Sequence, residues 1–206
     1  MKDEQIVAVP TEHLRQARLR QGFDTDVETI VVAALESGKA RILPRRLAEV
    51  DPRFKQLICY VILRHGERVF HYLRSAQVGE GRLAGLRSVG LGGHLSVADA
   101  GADLDSVGRE WLERAIQREL SEEAAVAEPP VVTYVGIIND DSTEVGRVHV
   151  GIVAQAHLAA PHVMLRDSSL SDGRFDTPES LRSQLDQFET WSQLCLRALL
   201  TRAESS

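Results

Sequence analysis

The run Arg118-Glu119-Leu120-Ser121-Glu122-Glu123, set within the stretch from Glu110 to Val126, decides how this chain is read. The stretch holds neither Pro nor Gly and has the composition of a single helix. At about 100° per residue, Trp111, Leu112, Ala115, Ile116 and Leu120 form one apolar stripe, and Glu113, Arg114, Gln117 and Ser121 take the opposite side. Glu119 and Glu123 fall within the stripe, with Glu122 at its edge. Their i, i+3, i+4 spacing predicts that all three carboxylates reach a common point. Ionised carboxylates directed at a packed interior repel one another and lose hydration, so they need a cationic partner. A divalent ion meets that need, and salt bridges to arginines are the alternative; a solvated helix face needs neither. Hard oxygen donors suit Mg²⁺ or Mn²⁺ better than zinc.

Over these residues the chain resembles the Nudix superfamily. The Nudix box reads Gly, five residues, Glu, seven residues, Arg-Glu, an aliphatic, any residue, Glu-Glu, any residue, Gly, an aliphatic. Glu110, Arg118, Glu119, Leu120, Glu122, Glu123 and Val126 match it in register. Ala125 stands at the closing Gly, and Leu104 at the opening one. Gly90, Gly92, Gly93 and His94 lie further upstream, so Leu95 to Gly108 is expected to contain an insertion between the glycine turn and the helix. Ser88 to His94 and Asn139 to His149 are similar to a branch of predicted phosphoesterases within the superfamily.

The resemblance implies an α/β/α sandwich with a mixed β-sheet. It also implies metal-dependent hydrolysis of a pyrophosphate bond, in a nucleoside diphosphate linked to another group or in a related small molecule. Glu119, Glu122 and Glu123 would ligate Mg²⁺ or Mn²⁺, joined by a backbone carbonyl of the glycine turn at Gly93. One of the glutamates, with Glu122 and Glu123 as catalytic candidates, would also take the proton from the attacking water. Arg118 would orient a carboxylate of the cluster through a forked hydrogen bond. Glu110 either supports Arg118 or is a favourable acid in the first helical turn. A Nudix fold that senses a nucleotide without hydrolysing it is the alternative, against which the intact glutamate triplet counts.

Other residues are read with two meanings each. Asp140, Asp141 and Glu144 could supply a further acid, Glu144 first because of the adjoining Val145-Gly146 turn, or could form a hydrated loop. His94 could contact a phosphate or donate a proton, or complete a turn. His149 alternates with Val148 and Val150 on a strand and reads as core or surface. Arg74, Arg82 and Arg87 surround the glycine-rich stretch and could grip substrate phosphates or be solvated. Trp111 and Trp191 read as helix-packing residues.

The chain of 206 residues can bury one good core with a small appendage. Its net charge of −6 and lack of a basic tract argue against a nucleic-acid polymer as partner. A small phosphorylated substrate is still accessible, because bound metal supplies positive charge locally. Cys59 and Cys195 lie far apart, without metal-ligand spacing. Lys2, Asp3 and Glu4 give a charged start, and no apolar run has membrane-spanning length, so a soluble cytoplasmic protein is expected.

Along the chain, Gln5 to Val9 reads as a strand, and Glu12 to Gln21 and Asp26 to Ser37 as helices. Lys55 to Arg64 and Arg68 to Arg74 read as strands joined by a hairpin turn at His65-Gly66-Glu67. Val131 to Ile138 and Val148 to Ala156 are further strands, and Pro178 to Asp186 and Glu189 to Arg202 closing helices. Residues 1–50 are expected to be an N-terminal extension packed on a Nudix domain of residues 51–206. Exchange of that extension with a second subunit, making a homodimer, stays open.

Overall fold

The computed structural model describes residues 3–75, 85–100 and 107–203. Arg82 and residues 101–106 of the insertion lie outside the described residues. The fold is mixed α/β with a large mixed sheet. Its strands, in chain order, are β1 (Gln5–Pro10), β2 (Gly22–Asp24), β3 (Arg41–Pro44), β4 (Phe54–His65), β5 (Arg68–Arg74), β6 (Arg87–Ser88), β7 (Gly90–Leu91), β8 (Ala124–Val126), β9 (Val131–Asn139), β10 (His149–His157), β11 (Val163–Leu165) and β12 (Leu170–Asp176). The helices are α1 (Thr11–Gln16), α2 (Ala33–Glu36, preceded by a π turn at Glu28–Val32), α3 (Arg45–Ala48), α4 (Arg109–Glu123), α5 (Glu144–Arg147), α6 (Pro178–Arg182) and α7 (Thr190–Ala203). None is long and apolar enough to cross a membrane.

Two compact units divide the chain, the first comprising residues 1–60, 92–119 and 134–153. Here β1 runs antiparallel to β3 and also to the start of β4, with Ala8 opposite Gln56. Strand β2 lies antiparallel to β9, Phe23 opposite Ile138. The N-terminal fifty residues thus share strand pairing with β4 in this unit. Apolar runs explain why: Ile6 to Val9, Leu57 and Cys59 are wholly buried. On α4, Trp111, Leu112, Ala115 and Ile116 are buried as the stripe predicts.

The second unit comprises residues 61–91, 120–133 and 154–206. Strand β5 pairs with β6 and β12, and β4 pairs with β7 and, through the Gly66-Glu67 turn, with β5. The helix expected to reach Val126 stops at Glu123, and Ala124–Val126 instead pairs with β11. Arg166 explains the stop: its amide donates to the Glu123 carbonyl (2.9 Å) and its guanidinium to the Ser121 carbonyl (2.6 Å), satisfying acceptors that the helix end leaves open.

Other boundaries move for local reasons. The helix expected to run to Gln21 ends at Gln16, because Arg18 adopts a positive φ of 65°. The Arg18 amide then bonds the Arg15 carbonyl and the Leu19 amide that of Leu14, a Schellman closure without glycine. Strand β12 carries four exposed residues, Ser171 to Arg174, and a bulge at Asp172 with φ of 48°, so it has no apolar alternation to reveal it.

Candidate active site

The site begins where Gly92 to Leu95 lies along β4. The Cys59 amide donates to the Gly93 carbonyl and the Leu95 amide to the Leu57 carbonyl, each at 2.9 Å. Gly92 has a φ of 142°, and a Cβ there would overlap the Cys59 carbonyl oxygen. Only glycine fits so close an approach. At Gly93 a Cβ would stand 2.6 Å from Oε1 of Glu119. The bare backbone is what lets the Glu119 carboxylate sit against this strand.

Glu119 is buried, at 7% exposure. Its Oε1 accepts a hydrogen bond from Arg118 Nη1 at 2.6 Å. The rest of the Arg118 guanidinium is directed elsewhere. Nε donates to Asp99 Oδ1 (2.8 Å), and Nη2 to Asp99 Oδ2 (3.1 Å) and the His94 carbonyl (3.0 Å). Asp99, 1% exposed, also closes a capping box with Ser96, accepting from the Ser96 amide at 2.8 Å. Its carbonyl accepts from Arg114 Nε at 2.6 Å. Hydrogen bonding to Asp99 is the largest influence on Arg118; it raises the guanidinium pKa against the opposing effect of burial.

Arg118 thus bonds a carboxylate of the cluster, Glu119, as expected, and Asp99 is an additional partner. Glu110 is exposed and meets Arg114 at 3.4 Å, whereas the forked bond goes to Asp99. The three helix glutamates differ in exposure. Glu122 is exposed, Glu123 partly buried, and Glu119 tied to Arg118. Among the described residues, the group of three acid or imidazole side chains with donor atoms within 4.8 Å of one another is Glu49, His94 and His149. The Gly93 carbonyl, expected as a metal ligand, already accepts the Cys59 amide, so it has one lone pair left.

The remaining candidates separate. Arg87 is buried and held from two sides: Nε donates to His71 Nδ1 (2.7 Å), Nη1 to Asp172 Oδ2 (2.6 Å) and Nη2 to the Asp172 carbonyl (2.8 Å). It braces β5 against β12 with three of its five N–H donors. Arg74 rests on the Tyr72 ring, 5.5 Å from its centroid, with Nη2 on the hydroxyl. Glu144 is exposed at the start of α5, which Thr143 caps. Asp140 is buried, accepting from Gln21 (3.0 Å) and Ser142. Asp141 takes the ammonium of Lys55 at 2.7 Å. Lys55 is 1% exposed and also donates to the carbonyls of Gly146, Arg147 and His149. It ties the whole 140–149 segment to β4. His94 lies edge-on to His149, ring centroids 5.4 Å apart.

No protein-family model matches the chain. It is 32% identical over 205 residues to protein YmaB of Bacillus subtilis (strain 168), covering 96% of this chain and 98% of that protein. Among solved structures, Tm1382, described as a Nudix hydrolase, superposes with a TM-score of 0.77 at 26% identity, over 96% of this chain and 99% of its own. This chain belongs to the Nudix superfamily. The Nudix domain of Shewanella oneidensis NrtR, solved with ADP-ribose, shares the fold at a TM-score of 0.52 and 18% identity, over 74% of this chain and 89% of its own.

The Nudix pattern also admits a second register on this chain. The Gly-five-acid spacing is met by Gly93 and Asp99, and 18 residues (100–117) then precede Arg118 where the pattern has seven. The additional residues enter after the acid, not before it. Asp99, Lys55 and Glu49 were the residues sequence reading passed over. The signal for Asp99 was its distance of six from Gly93.

Proposed function

We propose that this protein hydrolyses the phosphoanhydride bond of a nucleoside diphosphate-linked small molecule with the help of Mg²⁺ or Mn²⁺. Glu119, Glu122 and Glu123 would hold the ion. The donor set fits, since it is all oxygen and one member sits in a cradle that a Cβ at position 93 would fill. Bound there, the ion would neutralise the pyrophosphate and acidify a water molecule. The rest falls to the chain. Asp99 fixes Arg118, and Arg118 fixes the Glu119 carboxylate. Glu122 or Glu123 accepts the proton as water attacks phosphorus and the bond to the bridging oxygen breaks, leaving two phosphate-ended products.

The observation that carries this reading is the buried Glu119 held between Gly93 and the Arg118–Asp99 pair. The test is a hydrolysis screen with Mg²⁺ over nucleotide sugars, ADP-ribose, dinucleoside polyphosphates, nucleoside triphosphates and prenyl diphosphates. Glu123→Gln is expected to lower turnover by about 10²–10⁴-fold with the fold intact, the range for loss of a general base. Turnover equal to that of the unsubstituted protein removes Glu123 from the mechanism. Saturable nucleotide binding without product release supports the sensing alternative.

A further inference from the structure

We infer that Glu49, His94 and His149 form a second metal site, separate in chemistry from the glutamates of α4 and suited to a borderline divalent ion such as Zn²⁺. One donor atom from each lies within 4.8 Å of those of the other two. They come from three separate segments: the residue that closes α3, the residue after the glycine pair, and the first residue of β10. Two imidazoles and a carboxylate are a zinc-type donor set, whereas Mg²⁺ prefers oxygen alone.

Both imidazoles are prepared for the task. Nδ1 of His149 lies 2.8 Å from the Val145 carbonyl, so that nitrogen carries the proton and Nε2 presents its lone pair. The Val145 turn is in turn held by Lys55, which bonds the carbonyls of Gly146 (2.7 Å) and His149 (3.3 Å). Such an orienting layer behind a histidine is the usual support for a metal ligand. Nε2 of His94 is buried and has no hydrogen-bond partner among the described residues. An orphaned buried nitrogen calls for an explanation, and a cation is one.

The neighbouring cations do not forbid an ion. Arg45 is balanced by Glu4 (3.0 Å), and Arg118 by Asp99 and Glu119. Around zinc at about 2.1 Å the donors stand roughly 3.4 Å apart. Glu49, a third exposed and bonded to Arg45 at 3.2 Å, is the ligand free to swing inward, exchanging that surface pair for the ion. Three protein ligands leave a coordination position for water or an anionic oxygen.

The test uses the full chain, stripped by dialysis against a chelator, and reads metal binding and not turnover. Wild type is expected to bind one equivalent of Zn²⁺, to give ligand-field absorption with Co²⁺, and to unfold at higher temperature with Zn²⁺ present. Glu49→Gln and His94→Gln are each expected to weaken Zn²⁺ binding by more than about 100-fold and to abolish the thermal shift. Glu119→Gln and Glu123→Gln should leave both unchanged. Absence of saturable Zn²⁺ binding by wild type overturns the site. So does unaltered affinity in Glu49→Gln, a partly exposed position where the fold is expected to survive even if His94→Gln does not fold. Loss of binding in Glu119→Gln with Glu49→Gln unaffected would place the ion on α4 and equally overturn it.

Discussion

Asp99 is the residue on which the register of the Nudix box turns, and its removal has a calculable consequence. Its carboxylate is 1% exposed and accepts from Arg118 Nε at 2.8 Å, Arg118 Nη2 at 3.1 Å and the Ser96 amide at 2.8 Å. Asp99→Asn keeps the shape, removes the charge and turns one acceptor into a donor facing other donors. Charge-assisted bonds contribute about 1.5–3 kcal/mol each, and removing one partner of a buried pair costs about 3–5 kcal/mol. Arg118 keeps 26% side-chain exposure and its bond to Glu119, so the lower end applies, about 3 kcal/mol. Glu110→Gln touches only a pair at 3.4 Å with the acid 85% exposed, which is worth below about 0.5 kcal/mol. Urea unfolding of the two variants should therefore separate by about 2.5 kcal/mol. A double-mutant cycle of Asp99→Asn with Arg118→Met should return a coupling above about 1.5 kcal/mol. Equal destabilisation by the two acid variants, or coupling near zero, would refute the assignment of Asp99 as the acid of the box.

Four further outcomes are expected. Gly93→Ala should fold, with a loss of about 1–3 kcal/mol as the Glu119 carboxylate yields to the new methyl, and should reduce Mg²⁺-dependent hydrolysis by at least about 10-fold. Gly92→Ala, obstructed by backbone at a φ of 142°, should fail to give folded protein, as circular dichroism of the purified variants will show. Lys55→Met, which keeps the length but deprives Asp141 and three carbonyls of their donor, should cost about 2–4 kcal/mol in urea unfolding and speed amide exchange across residues 140–149. Burial, opposed by the hydrogen bond to Asp176, lowers the His71 pKa below its ordinary 6.5. A histidine held neutral in the folded state contributes stability that is complete above pH 6.5 and lost as pH falls from there through the folded pKa. Unfolding free energy measured from pH 7.5 to 5 should decline on the acid side, and His71→Gln should flatten that limb.

How far the sequence could be read follows from which contacts are local. The stripe of Trp111, Leu112, Ala115, Ile116 and Leu120 and the hairpin about Gly66 depend on neighbours three to four or two residues away, so periodicity exposes them. Glu119 was identifiable for the same reason, an acid out of phase with its own helix. The commitment of Arg87 was not, because His71 lies 16 positions before it and Asp172 85 after, and an arginine among glycines looks the same whether it grips a phosphate or a strand. Asp99 failed for a subtler reason. A contiguous match at Glu110 filled the box without a gap, and a good helical N-terminus attracts an acid whether or not it has a partner. Burial favours Asp99 over Glu110, since residues beyond the pattern's seven can enter after Asp99 without moving it from the turn that Gly93 and Ser96 build. An acid fixed by a turn tolerates an insertion that an acid fixed by helical register does not. In this chain, then, the distance from the glycine turn is the better guide to the acid of the box than the distance from the arginine.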